Sequence, residues 1–361
     1  MECRKCVNTL FSLLRLAIGD ERNAIDTEGV AWQEVYALAR KQGVLALCFD
    51  GLTRLFEQDK EFAKSFPQGL KLQWINAVLS IEHKYDYSLE KCAELADKWA
   101  EKGIKTLCLK GFAFSTYYPT PNHRECGDFD CYLYDDYAKG NDIAQELGAK
   151  VDDSWYKHSE MLYRKVMVEN HRFIVAVRSG KKIKELHYQL DSLARNEVRQ
   201  PIFNTKIEMP SPMFNALFLN HHSLTHFLTE GIRLRHILDW ALFLEKEQNN
   251  LDWKEFYALC DEYKMRAFVD CSTALAIEVC GITITNPEIT TQSPYTKRVL
   301  SSIINDDDAV FSQSVGAWRK RIMIVRNLLS SRWKYRAFST QSIFSKLLSL
   351  AWGFITHPEE E

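Results

Sequence analysis

Apolar and polar positions divide the chain into two helical regions and a middle segment in which short strands and helices alternate. Residues 5–98 and 211–282 carry apolar side chains at helical spacing. Residues 104–205 instead contain short apolar runs separated by turns, together with one clear helical stretch, YAKGNDIAQELG. This alternation indicates a small twisted sheet backed by helices, so we expect an α+β protein with a helical region on either side of its sheet.

The middle segment contains five expected strands. They are IKTLCLKG (104–111), DFDCYL (128–133), MLYRKVMV (161–168), RFIVAV (172–177) and KELHYQL (184–190). Three prolines, Pro201, Pro210 and Pro212, mark the end of the segment, and residues 283–312 are polar and turn-rich, as expected for a linker. We therefore expect an N-terminal helical region at 1–98, an α/β core at 99–205 and a C-terminal helical region at 206–361.

Two aspartates stand one residue apart at the start of the second expected strand. Because successive side chains of a strand point to opposite faces, Asp128 and Asp130 share one face, about 7 Å apart. Two such carboxylates repel each other unless a cation lies between them, and Mg²⁺ prefers oxygen ligands of this kind. The Lys110-Gly111 turn that ends the preceding strand can offer backbone N–H groups to phosphates. Together these features indicate metal-assisted chemistry on a nucleotide.

The order of these pieces resembles the nucleotidyltransferase superfamily with the DNA polymerase β-like core. It is most similar to the uncharacterised nucleotidyltransferase family of bacterial proteins, whose members read roughly L-K-G, Tyr-Pro, R-x-x-G-D-x-D and then E-L-H, followed by a helical tail. The resemblance covers about residues 100–280. The matching pieces are Leu109-Lys110-Gly111, Tyr118-Pro119, the run from Arg124 to Asp130, Glu185-Leu186-His187 and the tail segments NHHSLTHF and RLRHILDWALFLEK.

The resemblance implies a small mixed β-sheet nucleotidyltransferase core and a role for each matching residue. Asp128 and Asp130 would hold two Mg²⁺ ions, with Glu185 as the third carboxylate, on a strand that places it beside His187. Its phosphate-binding residues would be Lys110, Gly111 and Arg124. The implied reaction transfers a nucleoside monophosphate from an NTP, such as ATP, to an acceptor and releases pyrophosphate. The acceptor stays open among a small molecule, a sugar, a protein hydroxyl and RNA.

One departure from the family pattern keeps other functions open. The superfamily has Ser or Gly after the turn glycine, whereas this chain has Phe112. A ring there cannot hydrogen-bond phosphate, so Lys110 or Ser115 would have to compensate. The alternatives are a catalytically degenerate protein that binds nucleotide without turnover, and a helical scaffold or interaction protein. His222 and His226 stand four residues apart on an expected helix, a spacing that suits zinc, but the sequence offers no evident third ligand nearby and favours a packing or pocket-facing role for them.

Composition narrows the expected partners and location. A formal net charge of −2 argues against stable DNA binding driven by net charge. The ten cysteines show no disulfide-like framework, and no stretch reaches the roughly 18 uncharged apolar residues of a membrane span, so we expect a cytoplasmic protein.

The last segment of the chain is basic and aromatic. Residues 309–358 contain no Asp or Glu but eight Lys and Arg, with aromatic residues interleaved. This pattern indicates either contact with an anionic surface through 318–346 or a C-terminal helix pair docked on the core.

Overall fold

The N-terminal region is helical, as its apolar periodicity predicted. The computed structural model describes residues 4–19, 25–197, 199–305 and 332–339. The first five helices are α1 (Arg4–Ile18), α2 (Trp32–Lys41), α3 (Leu45–Gln58), α4 (Lys60–Ser65) and α5 (Gln68–Glu101).

A mixed sheet of seven short strands forms the centre of the protein. In chain order the strands are β1 (Thr106–Cys108), β2 (Phe129–Tyr132), β3 (Lys150–Asp152), β4 (His158–Tyr163), β5 (Val166–His171), β6 (Gln200–Pro201) and β7 (Ile207–Met209). Their order across the sheet is β3-β4-β5-β2-β1-β7-β6. The pairs β2–β5 and β1–β7 are parallel and the other pairs are antiparallel. The expected α+β class, with a small mixed sheet between helical regions, is therefore confirmed.

The remaining helices cover the sheet and build the C-terminal region. They are α6 (Phe112–Ser115), α7 (Tyr137–Glu146), α8 (Lys181–Asn196), α9 (Pro212–Thr229), α10 (Leu234–Glu247), α11 (Trp253–Glu262), α12 (Arg266–Cys280), α13 (Thr296–Asn305) and α14 (Arg332–Phe338). In these described parts of the chain, every helix is too short or too polar to cross a membrane. All cysteines of the described residues are free thiols.

Four parts of the secondary-structure prediction were wrong. The segment MLYRKVMV is a hairpin rather than one strand, because β4 ends at Tyr163, a turn follows, and β5 begins at Val166. The segment KELHYQL lies in α8, where Leu186, Leu190 and Leu193 are buried at helical spacing rather than in strand alternation. The segment RFIVAV contains bends and a short 3₁₀ turn, because the strand of this region ends earlier, at His171. Helix α13 lies inside the expected linker 283–312, and its buried residues include Val299 and Ile303.

Two hydrophobic clusters lie on opposite faces of the sheet. The smaller cluster packs Cys108 and Cys131 against the C-terminal half of α5 and against α7, and Trp99 of α5 donates a 3.0 Å hydrogen bond from Nε1 to the Gly140 carbonyl oxygen. The larger cluster contains Leu107 and Tyr132 from the other face and extends through both helical regions. Because β1 and β2 alternate between the clusters, each strand is fixed from both sides.

Candidate active site

Three carboxylates meet on one face of the sheet. Asp128 precedes β2, Asp130 lies within β2, and Glu169 lies directly opposite Asp130 on the parallel strand β5. One ligand oxygen from each of these three side chains lies within 4.8 Å of the others. The intervening residues Phe129 and Val168 point into the smaller hydrophobic cluster. Strand alternation therefore holds the three carboxylates together on the opposite face.

Lys110 supplies the nearest positive charge. Its Nζ lies 3.0 Å from Asp130 Oδ2 and 3.6 Å from Asp128 Oδ2. Burial opposes the charge on Lys110, but Asp130 and Asp128 outweigh it and raise the pKa of the lysine. The ammonium group therefore stays charged between the two aspartates.

Gly111 turns the chain directly after this lysine. Its backbone has φ +61° and ψ −108°, a conformation that side-chain-bearing residues rarely adopt. The turn expected at Lys110-Gly111 is therefore present, and its backbone conformation favours glycine.

The pKa values of the two aspartates are shifted in opposite directions. Burial and the neighbouring Asp130 raise the pKa of Asp128. Burial also opposes ionisation of Asp130, which is only 2% exposed, but Lys110 and His171 outweigh it and hold the pKa of Asp130 well below its usual range. The site therefore keeps Asp130 ionised, while Asp128 is the carboxylate that most needs a further cation.

Two histidines extend the same face of the sheet beyond the carboxylates. His171 Nε2 lies 3.1 Å from Asp130 Oδ1 and 3.4 Å from Glu169 Oε2, and His158 Nε2 lies 3.9 Å from the same Glu169 oxygen. The two histidines are cross-strand partners on β4 and β5, with ring centroids 5.3 Å apart. Burial opposes ionisation of Glu169, but its contact with His171 lowers the pKa of Glu169 below its usual value.

Glu185, the expected third carboxylate, lies elsewhere. It is on helix α8 rather than on a strand, and its Oε2 is 3.0 Å from Lys182 Nζ, one turn away on the same helix. In the described part of the chain, the carboxylates that gather with Asp128 and Asp130 include Glu169 and not Glu185. Helix α8 turns Glu185 towards surface lysines because its apolar side is occupied by leucines.

Arg124, expected to bind phosphate, is paired inside the protein. Its Nε and Nη2 donate hydrogen bonds of 2.9 and 2.8 Å to the carboxylate of Asp239 on α10, and its Nη1 lies 3.2 Å from Cys126 Sγ. The Tyr118 hydroxyl donates to the same carboxylate at 2.8 Å. Both charged side chains are buried, so this pair anchors the loop before β2 to α10.

The ring of Phe112 does not stand at the turn. It is buried in the smaller cluster, 5.2 Å from the ring of Tyr85 and 5.7 Å from that of Phe129. Ser115, the residue expected to compensate for it, is also buried, and its hydroxyl bonds to the Phe112 carbonyl oxygen and to the Tyr85 hydroxyl. Phe112 departs from the family pattern, but its ring packs in the hydrophobic core and does not occupy the turn.

The sequence carried a signal for Glu169 that the strand assignment missed. The pattern Glu-x-His occurs twice, as Glu169-Asn170-His171 and as Glu185-Leu186-His187. The second copy matches the family's E-L-H letter for letter, whereas the first lies on a strand beside the aspartates. Only the fold distinguishes them, because the sequence does not show which strand pairs with β2.

The other residues that the sequence singled out lie away from this site or outside the described residues. His222 and His226 lie on α9 with ring centroids 4.4 Å apart, near His236 of α10, but no potential metal-binding trio in the described ranges includes them. Most of the segment 318–346 lies outside the described residues. The part that is described, α14, packs Phe338 against Phe227 of α9.

Comparison with known families gives a match that covers most of the chain. The model of the family described as uncharacterised nucleotidyltransferase matches residues 28–281, which include the sheet, the carboxylates and most of the helices. Neither the curated proteins nor the solved structures contain a significant match. The extent of the family match shows that the chain belongs to the uncharacterised nucleotidyltransferase family.

Proposed function

We propose that this protein is a cytoplasmic, Mg²⁺-dependent enzyme that transfers a nucleoside monophosphate from an NTP to an acceptor and releases pyrophosphate. The observation that carries the proposal is the meeting of Asp130 and Glu169, on two adjacent parallel strands, with Asp128, directly before the first of them. In this proposal Glu169 takes the place that the sequence led us to expect for Glu185. Family membership supports nucleotidyl transfer in general, and the carboxylates support its metal dependence.

The donor atoms suit Mg²⁺. All three ligands are carboxylates, and Asp128 and Glu169 remain partly exposed, so that an ion and a nucleotide can reach them. Burial, and after it the neighbouring Asp130, raises the pKa of Asp128, and a bound cation would oppose both effects. When bound, Mg²⁺ would supply positive charge to the phosphate oxygens and to the departing pyrophosphate.

The residues around the carboxylates prepare the site for a polyphosphate. Lys110 lies beside the same two aspartates, so its ammonium group is available to the triphosphate once another cation neutralises them. The Gly111 turn passes close to the backbone of Asp128, whose carbonyl oxygen would lie 3.6 Å from a Cβ atom added at Gly111. Because the pKa of Glu169 is lowered, Glu169 suits the role of metal ligand better than that of proton acceptor.

A labelling experiment tests the proposal with a matched pair of glutamates. Each α-³²P-labelled NTP is incubated with Mg²⁺, fractionated cell extract and the wild-type protein, Glu169→Gln or Glu185→Gln. We expect a labelled acceptor with the wild type and with Glu185→Gln, and a loss of at least about 100-fold with Glu169→Gln, since the metal site would lose one of its charged ligands.

Three results would count against the proposal in different ways. Equal activity of Glu169→Gln and the wild type would remove Glu169 from the site. Loss of activity only in Glu185→Gln would restore the residue expected from the sequence. A wild type that binds MgNTP but labels no acceptor with any of the four NTPs would favour nucleotide binding without turnover, and no NTP binding at all would favour a scaffold.

A further inference from the structure

The structure holds a second group of potential metal ligands next to the three carboxylates. It consists of His158, Glu169 and His171, whose ligand atoms all lie within 4.8 Å of one another. Both histidines approach the same oxygen, Glu169 Oε2, at 3.4 Å from His171 and 3.9 Å from His158. Glu169 therefore belongs to both groups.

We propose that His158, Glu169 and His171 form a separate site for a divalent transition-metal ion such as Zn²⁺, bridged by Glu169 to the carboxylate site. Imidazole nitrogen is a poor ligand for Mg²⁺ but a good one for zinc and related ions. Two histidines and one carboxylate form a donor set that zinc uses where a further coordination position stays open. This site deepens the proposed function, on which it rests for the neighbouring Mg²⁺ site, by assigning residues to a metal ion of a different kind.

The observed separations agree with this assignment. Two ligand atoms bound tetrahedrally to one zinc at about 2.0 Å lie about 3.3 Å apart. The separation of His171 Nε2 from Glu169 Oε2 already has this value, at 3.4 Å, and that of His158 Nε2 is 0.5 Å longer, at 3.9 Å. The third pair, one nitrogen from each histidine, lies within 4.8 Å.

The contacts of His171 direct one ring nitrogen into the group. Its Nε2 lies 3.1 Å from Asp130 Oδ1 and 3.4 Å from Glu169 Oε2. Its other ring nitrogen, Nδ1, lies 3.3 Å from the Phe173 carbonyl oxygen, which could accept a hydrogen bond from Nδ1–H when Nε2 binds a metal ion. A backbone carbonyl on the far nitrogen is also the usual support of a metal-bound histidine.

An ion can enter this site from solvent. The side chains of His158 and Glu169 are 16% and 20% exposed, whereas His171 is nearly fully buried. Glu160, on the same face of β4, stands at the open side with its Oε1 3.9 Å from His158 Nε2. The site therefore has a buried inner ligand and a polar entrance.

Zinc binding without any nucleotide tests the inference. The full chain is stripped with chelator and then dialysed against Zn²⁺ in excess Mg²⁺. Bound zinc is measured by metal analysis and its affinity by competition with a chromogenic chelator. We expect the wild type to bind one zinc per chain. We expect His158→Ala and His171→Ala to bind zinc at least about 10-fold more weakly, because substitutions that only support a metal ligand already lower affinity by about that much.

Two control variants separate this site from its neighbours. Asp128→Asn removes a ligand of the carboxylate site only, so it should keep its zinc. His226→Ala disturbs the histidine pair on α9, another place where described residues bring imidazoles together, and should also keep its zinc. Far-UV circular dichroism checks that each variant is folded, and His158, at the edge of the site, is the substitution that the fold should tolerate best.

The outcomes decide between distinct alternatives. Zinc affinity that is unchanged in both His158→Ala and His171→Ala overturns the inference, and zinc lost only in His226→Ala moves the site to α9. Wild-type protein that binds no zinc also overturns it and leaves His171 as a hydrogen-bonding partner of Asp130. Failure of nucleotide transfer would not change any of these results, because no step of the experiment uses an NTP.

Discussion

The sequence predicted those residues of the site whose positions depend only on their near neighbours in the chain. Asp128, Asp130, Lys110 and Gly111 lie together in the structure because strand alternation and the glycine turn depend only on neighbouring residues. Glu169 was missed because its position beside the aspartates depends on pairing with a strand about 40 residues away in the sequence. Two identical Glu-x-His spacings are chemically equivalent until the fold places one of them beside the aspartates.

The charge balance at Lys110 leads to a prediction about stability. We expect Lys110→Met to lower the free energy of unfolding of the metal-free protein by about 1.5–3 kcal/mol, the contribution of a hydrogen bond to a charged group. The reason is that Asp130 would keep a buried charge with less compensation. Added Mg²⁺ should then stabilise the variant more than the wild type, because the ion replaces the missing charge.

Urea unfolding with chelator and with Mg²⁺ measures both effects. The control is Lys98→Met, since Lys98 pairs with Glu101 on the exposed surface of α5 and should change stability by less than about 1 kcal/mol. If Lys110→Met behaved like this control, the lysine would not compensate the aspartates.

At the scale of elements, the sequence predicted helices better than the strands after β2. Long helices such as α5 repeat their apolar pattern over many turns, so that no other structure satisfies it. The segment KELHYQL has only seven residues, and its leucines four apart fit a helix while its alternating polar positions also fit a strand. Packing of these leucines against the larger hydrophobic cluster selects the helix, and this cluster is not visible in a short window of sequence.

The loop before β2 gives a second prediction, because a buried ion pair joins it to α10. We expect Arg124→Ala to lower the free energy of unfolding by about 3–5 kcal/mol, since Asp239 would be left charged and buried without its partner. Replacing both residues, as in Arg124→Met with Asp239→Leu, should cost much less, because no buried charge remains.

A double-mutant cycle by chemical denaturation measures the coupling between the two side chains. A large positive coupling would identify Arg124 as the anchor of the loop. An Arg124→Ala variant with wild-type stability but weakened MgNTP binding would instead support the phosphate-binding role expected from the family pattern.

At the scale of the molecule, the N-terminal and C-terminal helical regions share one hydrophobic cluster. Leu10 of α1 and Val279 of α12 belong to it, although about 270 residues separate them in the sequence. Helix α5 contributes Trp74 to this cluster and Trp99 to the smaller one, so a single helix of about 51 Å connects the two. Patterns of local periodicity cannot reveal such contacts, and the boundaries expected near residues 98 and 205 remain a prediction.

His123 connects three parts of the molecule through two carboxylates. Its Nδ1 lies 2.7 Å from Asp50 Oδ2 on α3 and its Nε2 lies 2.8 Å from Glu82 Oε1 on α5, and the histidine itself stands five residues before Asp128. Burial opposes the charge on His123, but the hydrogen bonds to Asp50 and Glu82 outweigh it and raise the pKa of the imidazole. Arg54 and Glu57 are the other charged residues that line the adjacent cavity of about 350 Å³.

This contact predicts how stability changes with pH. Because the pKa of His123 is raised on folding, its contribution is fully present below the unfolded value of about 6.5 and is lost as the pH rises through the folded value. We therefore expect His123→Gln to be less stable than the wild type by about 1.5–3 kcal/mol at pH 6, and by clearly less at pH 9. Urea unfolding at both pH values measures the difference, with His83→Gln, at an exposed position of α5 next to Glu82, as the control. A difference between His123→Gln and the wild type that stays the same at both pH values would mean that the charge of His123 does not contribute to stability.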